Sequence, residues 1–117
     1  MSFEQELWSG KKLCSQEDLK LNSAKEIILR EGEQLCSLIV VNYENELRVF
    51  YNSCPHARSP LNINKDKFFD ISGRYLFCSS HGAFFRPSDG FCFRGPCSGQ
   101  ALTKVSIEIE EGTVVIV

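Results

Sequence analysis

Histidine is nearly absent from this chain: His56 and His81 are the only two in 117 residues, beside a single methionine and a single tryptophan. Two imidazoles are too few for a mononuclear iron centre of two histidines and a carboxylate in addition to any other histidine-dependent site. Long apolar runs are missing as well. The longest unbroken aliphatic stretch is Leu38-Ile39-Val40-Val41, far short of the ~20 residues of a membrane-spanning helix, so no membrane association is expected. Met1-Ser2-Phe3-Glu4-Gln5-Glu6 carries acid where a signal peptide needs base, and no apolar segment follows, so a cytoplasmic location is expected. A basic excess is lacking too, with a net charge of −2 and no basic stripe interleaved with aromatics, which argues against nucleic-acid binding. Repeats, low-complexity tracts and proline-rich linkers are not found, and the length suits a single domain over residues 1–117.

What is present is ordinary in bulk, with 43% hydrophobic and 24% charged residues predicting a packed core. Charge is unevenly spread. Residues 53–97 carry six bases (Arg58, Lys65, Lys67, Arg74, Arg86, Arg94) against three acids (Asp66, Asp70, Asp89), which leaves the remainder of the chain strongly acidic. That is either scattered solvated charge or a basic face that steers an acidic redox partner.

Strand signals dominate. Residues 25–30 read as a strand, and 35–42 and 47–52 as a hairpin around Tyr43-Glu44-Asn45-Glu46. Thr103, Val105, Ile107 and Ile109 alternate with polar residues as one half-buried strand, and Glu111-Gly112 turns the chain into Thr113–Val117. Ser15-Gln16-Glu17-Asp18 resembles a capping box, with no amphipathic helix after it. Between these ends, residues 53–97 form a loop-rich insert with short strand candidates at 68–71, 74–77 and 91–93 and a turn at Ser72-Gly73. The prediction is an all-β, antiparallel scaffold built from both ends of the chain and carrying that insert.

Six cysteines in a reducing compartment point to metal or redox chemistry rather than disulfides. Cys54-Pro55-His56 and Cys78-Ser79-Ser80-His81 place each histidine within three residues of a cysteine, with 21 residues between His56 and Cys78. Two thiolates and two imidazoles suit either zinc or an iron–sulfur centre. One residue between Cys54 and His56 is tight for a single tetrahedral ion and suits a two-iron cluster, in which the two side chains bind different irons. Cys14 and Cys36 sit in or beside strand patterns and are expected in the core, and Cys92 and Cys97 are expected as reduced, partly buried thiols. Phe84, Phe85, Phe91 and Phe93 read as core side chains, and Gly82, Gly90 and Gly95 as turn formers.

The first loop continues Cys54-Pro55-His56-Ala57-Arg58-Ser59-Pro60-Leu61, the second Cys78-Ser79-Ser80-His81-Gly82-Ala83-Phe84-Phe85, and Gly95-Pro96-Cys97 follows. These resemble the two ligand boxes and the proline loop of the Rieske family, most closely its small stand-alone members and the ferredoxins of ring-hydroxylating oxygenases. The resemblance covers nearly the whole chain. It implies a Rieske-type antiparallel β-sandwich with a cluster-binding subdomain over about 53–97. It also implies one [2Fe–2S] cluster per chain, with Cys54 and Cys78 on the inner iron and His56 and His81 on the outer one. The spacing between the boxes is a few residues longer than in the oxygenase ferredoxins, with the extra length at 62–69.

Departures from the family set further expectations. Ser59 and Ser80 stand where the high-potential members carry a disulfide, and Ala83 and Phe85 where they carry a Ser and a Tyr that hydrogen-bond the cluster sulfurs. Fewer hydrogen bonds to sulfur imply a low midpoint, roughly −100 to −200 mV. The resemblance implies an electron-transfer protein without catalysis of its own, the ferredoxin component of an oxygenase or related redox system, partnered by a reductase and an acceptor. Alternatives are a small subunit or regulatory module of a reductase, as in assimilatory nitrite reductase, and a structural zinc-binding interaction domain.

Overall fold

The computed structural model describes residues 5–55, 58–62, 66–79 and 82–117. Among them are ten strands: β1 (Lys12–Ser15), β2 (Ser23–Glu31), β3 (Gln34–Tyr43), β4 (Glu46–Tyr51), β5 (Leu76–Cys78), β6 (Ala83–Phe85), β7 (Cys92–Arg94), β8 (Lys104–Val105), β9 (Ile107–Glu110) and β10 (Thr113–Ile116). They make three antiparallel sheets, ordered β1-β10-β9, β2-β3-β4-β8 and β5-β6-β7. The expected all-β architecture is what the chain adopts.

Period-two alternation explains how the layers stack. Along β3, Leu38 and Val40 join one core with Val49 of β4, Leu13 of β1 and Val114 and Ile116 of β10. Ile39 and Val41, on the opposite face, join a second core with Phe50, Leu61, Phe68, Leu76 and Phe85. The run Leu38-Ile39-Val40-Val41 is thus apolar throughout because the central sheet is covered on both faces. One face completes the sandwich with β1-β10-β9; the other carries the insert and its small sheet.

Both expected hairpin turns form. Glu44 (φ +53) and Asn45 (φ +62) link the pair Tyr43–Glu46, and Glu111 (φ +50) and Gly112 (φ +81) link Glu110–Thr113, the left-handed pairs of type I′ turns. Ser15 caps a single 3-10 turn over Gln16–Asp18, where Asp18 Oδ2 accepts the Ser15 N–H at 3.1 Å and completes the capping box.

Three expectations change. The single strand over 103–109 divides at Ser106: Val105 pairs with Val49 in the central sheet, whereas Ile107 pairs with Ile116 in the outer one. Alternation survives that switch of sheet, which is why the pattern read as continuous. Residues 68–71 contribute only the bridge Phe69–Leu76, and the strand expected at 74–77 starts at Leu76. Finally, β6 was not expected, because three residues following a ligand box are too few to show a period.

Candidate metal centre

The two cysteine loops share one backbone device. Arg58 N–H donates to the Cys54 carbonyl at 2.6 Å, and Gly82 N–H donates to the Cys78 carbonyl at 2.9 Å. Each loop therefore wraps once on the carbonyl of its cysteine, and in each the fifth residue is left-handed, Arg58 at φ +57 and Gly82 at φ +72. Glycine adopts that conformation freely; an arginine held there is a strained residue of the kind that gathers at ligand sites. Cys54 N–H donates to the Ser59 carbonyl at 2.7 Å, and Ser79 N–H donates to the Leu61 carbonyl at 3.0 Å, which ties the second loop to the first. Cys54 and Cys78 are both fully buried in the core shared by the insert and the central sheet. His56, His81 and Ser80 lie outside the described residues, as does the 63–65 part of the expected longer spacer.

A polar network anchors the first loop. Asn52, buried just before it, accepts the Leu61 N–H at 2.9 Å and donates to Asn62 Oδ1 at 2.9 Å and Ser37 Oγ at 3.1 Å. The Glu26 carboxylate receives the Ser37 hydroxyl at 2.6 Å and the Asn62 amide at 3.1 Å. Asp66 Oδ1 accepts the Glu26 N–H at 2.8 Å, so the described part of the spacer is moored to β2. None of these residues was identified from sequence. Glu26, Ser37, Asn52 and Asn62 belong to no motif, and the one available signal was an asparagine two residues before a ligand box.

The small sheet sorts its residues by face. Leu76 and Cys78 of β5, Ala83 and Phe85 of β6 and Cys92 of β7 are buried, while Phe77, Phe84 and Phe93 stack on the outer face. Phe85 is therefore a core side chain as expected, but Phe93 is exposed and packs against Tyr75 with ring centres 4.8 Å apart. The Gly95-Pro96-Cys97 loop presses on the start of β6: a Cβ at Gly95 would lie 2.7 Å from Ala83 Cα, and its φ is +103°. Only glycine fits that approach. Cys97 is fully buried rather than partly so, and burial, then the neighbouring Cys92 and Cys54, push its thiol up to about 12. Cys36 is in the core as expected, whereas Cys14 is half-buried.

The donor set suits the cluster. Among the described residues no three His, Cys, Asp or Glu side chains are arranged to hold a metal ion. The only imidazoles in the sequence follow Cys54 by two residues and Cys78 by three. Ser59 Oγ is buried with no hydrogen-bond partner, a spare donor on the first ligand loop.

The chain is thus an all-β sandwich with two cysteine–histidine sequence boxes and a glycine–proline loop packed against the start of β6. Residues 9–110 match the Rieske [2Fe-2S] domain family, and the chain belongs to that family; a [2Fe–2S] cluster is its cofactor. Comparison with curated proteins gave no match. Among solved structures, the chain is similar to one in the complex of reduced oxygenase and oxidized ferredoxin of carbazole 1,9a-dioxygenase, with TM-score 0.71, 21% identity and 93% of each chain covered. It is also similar to the Sphingomonas yanoikuyae B1 ferredoxin, with TM-score 0.66, 23% identity, and 92% of this chain and 97% of that one covered. The ferredoxin of carbazole 1,9a-dioxygenase from Nocardioides aromaticivorans IC177 has TM-score 0.67 and 15% identity, with 92% and 96% covered. At these identities the likeness establishes the fold. No helix among the described residues is long and apolar enough to cross a membrane.

Proposed function

We propose that this protein is a one-electron carrier whose [2Fe–2S] cluster is held by Cys54, His56, Cys78 and His81, and that it serves as the ferredoxin component of an oxygenase or a related redox system. The observation that carries the reading is the matched pair of ligand loops, each wrapped on the carbonyl of a buried cysteine and joined through Ser79 and Leu61. When bound, the cluster supplies reversible one-electron chemistry. The chain's own contribution is to bind and to insulate. Cys54 and Cys78 supply buried thiolates; Phe85, Leu76 and Leu61 keep water from them; the Asn52 network holds the first loop in register.

The partners are a reductase that donates and an oxygenase that accepts. Support comes from the structural neighbours, one of them a chain of an oxygenase–ferredoxin complex. Exposed Arg58 and Arg94 belong to the basic insert and suit an acidic partner surface. A cytoplasmic location fits the six free cysteines.

The test is purification after expression with iron and sulfide supplied. Visible absorbance and a reduced-state EPR signal are expected, and both disappear when His56 or His81 is replaced. A colourless protein with one zinc ion bound overturns the reading.

A further inference from the structure

Cys92 and Cys97 lie outside the two ligand boxes, and their sulfurs lie 2.9 Å apart in the core. That is under an ångström longer than the ~2.05 Å of a covalent S–S bond. The approach is built into the backbone. Gly99 N–H donates to the Cys92 carbonyl at 3.0 Å, Cys92 N–H donates to the Gln100 carbonyl at 2.8 Å, and Gln100 N–H donates to the Cys97 carbonyl at 2.9 Å. Both cysteines thus sit on one closed loop, and a bond between them needs small side-chain rotations rather than movement of a strand. The same loop leans on Ala83.

We propose that Cys92 and Cys97 form a reversible disulfide, which makes the loop covering the Cys54 side of the site sensitive to the thiol redox state of its surroundings. The oxidant is a low-molecular-weight disulfide. One cysteine, as thiolate, attacks it and forms a mixed disulfide, releasing one small thiol. The second cysteine then attacks the protein sulfur of that mixed disulfide and releases the other small thiol. Two protein S–H bonds and one small-molecule S–S bond are exchanged for one protein S–S bond and two small-molecule S–H bonds. Two electrons pass to the oxidant. Because both sulfurs are buried, exchange waits on opening of the loop and takes minutes to hours.

The experiment uses the cluster-loaded protein, incubated in glutathione–glutathione disulfide mixtures, quenched in acid, denatured, alkylated and weighed. A species carrying two fewer alkyl groups should grow with the oxidised fraction and revert with dithiothreitol. Tryptic peptides 75–94 and 95–104 should be recovered joined, with fragment ions assigning the bond to Cys92 rather than Cys78. Cys97→Ser should abolish that species. Alkylation of both cysteines at every ratio overturns the proposal, as do mixed glutathione disulfides alone or a bond from Cys97 to Cys54. Cluster absorbance read on the same samples tests the electron-carrier reading separately, since the disulfide does not require the cluster.

Discussion

Asn52 Oδ1 accepts the backbone N–H of Leu61 at 2.9 Å, bridging the two ends of the first ligand loop from a position that is itself buried. The bond spans Cys54 and its neighbours like a clasp, and the Asn52 amide hands the constraint on to Ser37 and Asn62. A buried amide N–H left without its acceptor costs about 1–3 kcal/mol. Asn52→Ala should therefore lower unfolding stability by about that amount and hasten cluster loss, followed as bleaching of visible absorbance under chelator. Unchanged stability and bleaching would sink the clasp.

Ala83 and Phe85 are buried in β6 with no hydroxyl to offer, and Ala83 pairs directly with Cys78. The midpoint should fall at roughly −100 to −200 mV, at the low end of the Rieske range. Phe85→Tyr, which adds a donor at that position, should raise it in protein-film voltammetry. A wild-type value well above zero contradicts the expectation.

Gly95→Ala would set a Cβ 2.7 Å from Ala83 Cα at a φ of +103°. The backbones of the covering loop and β6 must then separate, at a cost above about 1 kcal/mol. A lower denaturation midpoint and faster solvent attack on the cluster are expected. Gly99→Ala, where a Cβ meets nothing within 4 Å, serves as a control for positive φ alone.

Cys36 lies between the central and outer sheets, and burial raises its thiol from 9.0 to about 11. A folded-state value above the unfolded one contributes stability that is complete below pH 9.0 and is lost as pH rises through about 11. Urea melts across that window should show the wild type losing stability more steeply than Cys36→Ala. Parallel slopes would count against it.

Much of the β scaffold was legible because strand alternation is a local property. Leu38–Val41, the turn at Glu44-Asn45 and the hairpin at Glu111-Gly112 each carry their signal within a few residues. The strand expected over 103–109 shows the limit of that reading. Its period is continuous through Ser106, and only the presence of two different sheets on either side divides it. The site was half legible for the same reason: ligand spacing lies within each box, whereas the hydrogen bond from Asn62 to Glu26 spans 36 positions and leaves no trace in spacing.

Composition and motif alone determined the cysteine–histidine boxes, the all-β character and the lack of any further imidazole, since each is a property of the local sequence or of residue counts. The tertiary structure decided that Arg58 and Gly82 close their loops alike, that Asn52 secures the first of them, and that Cys92 and Cys97 meet. Those contacts depend on where the central sheet places its two faces, which is a consequence of how the whole chain packs.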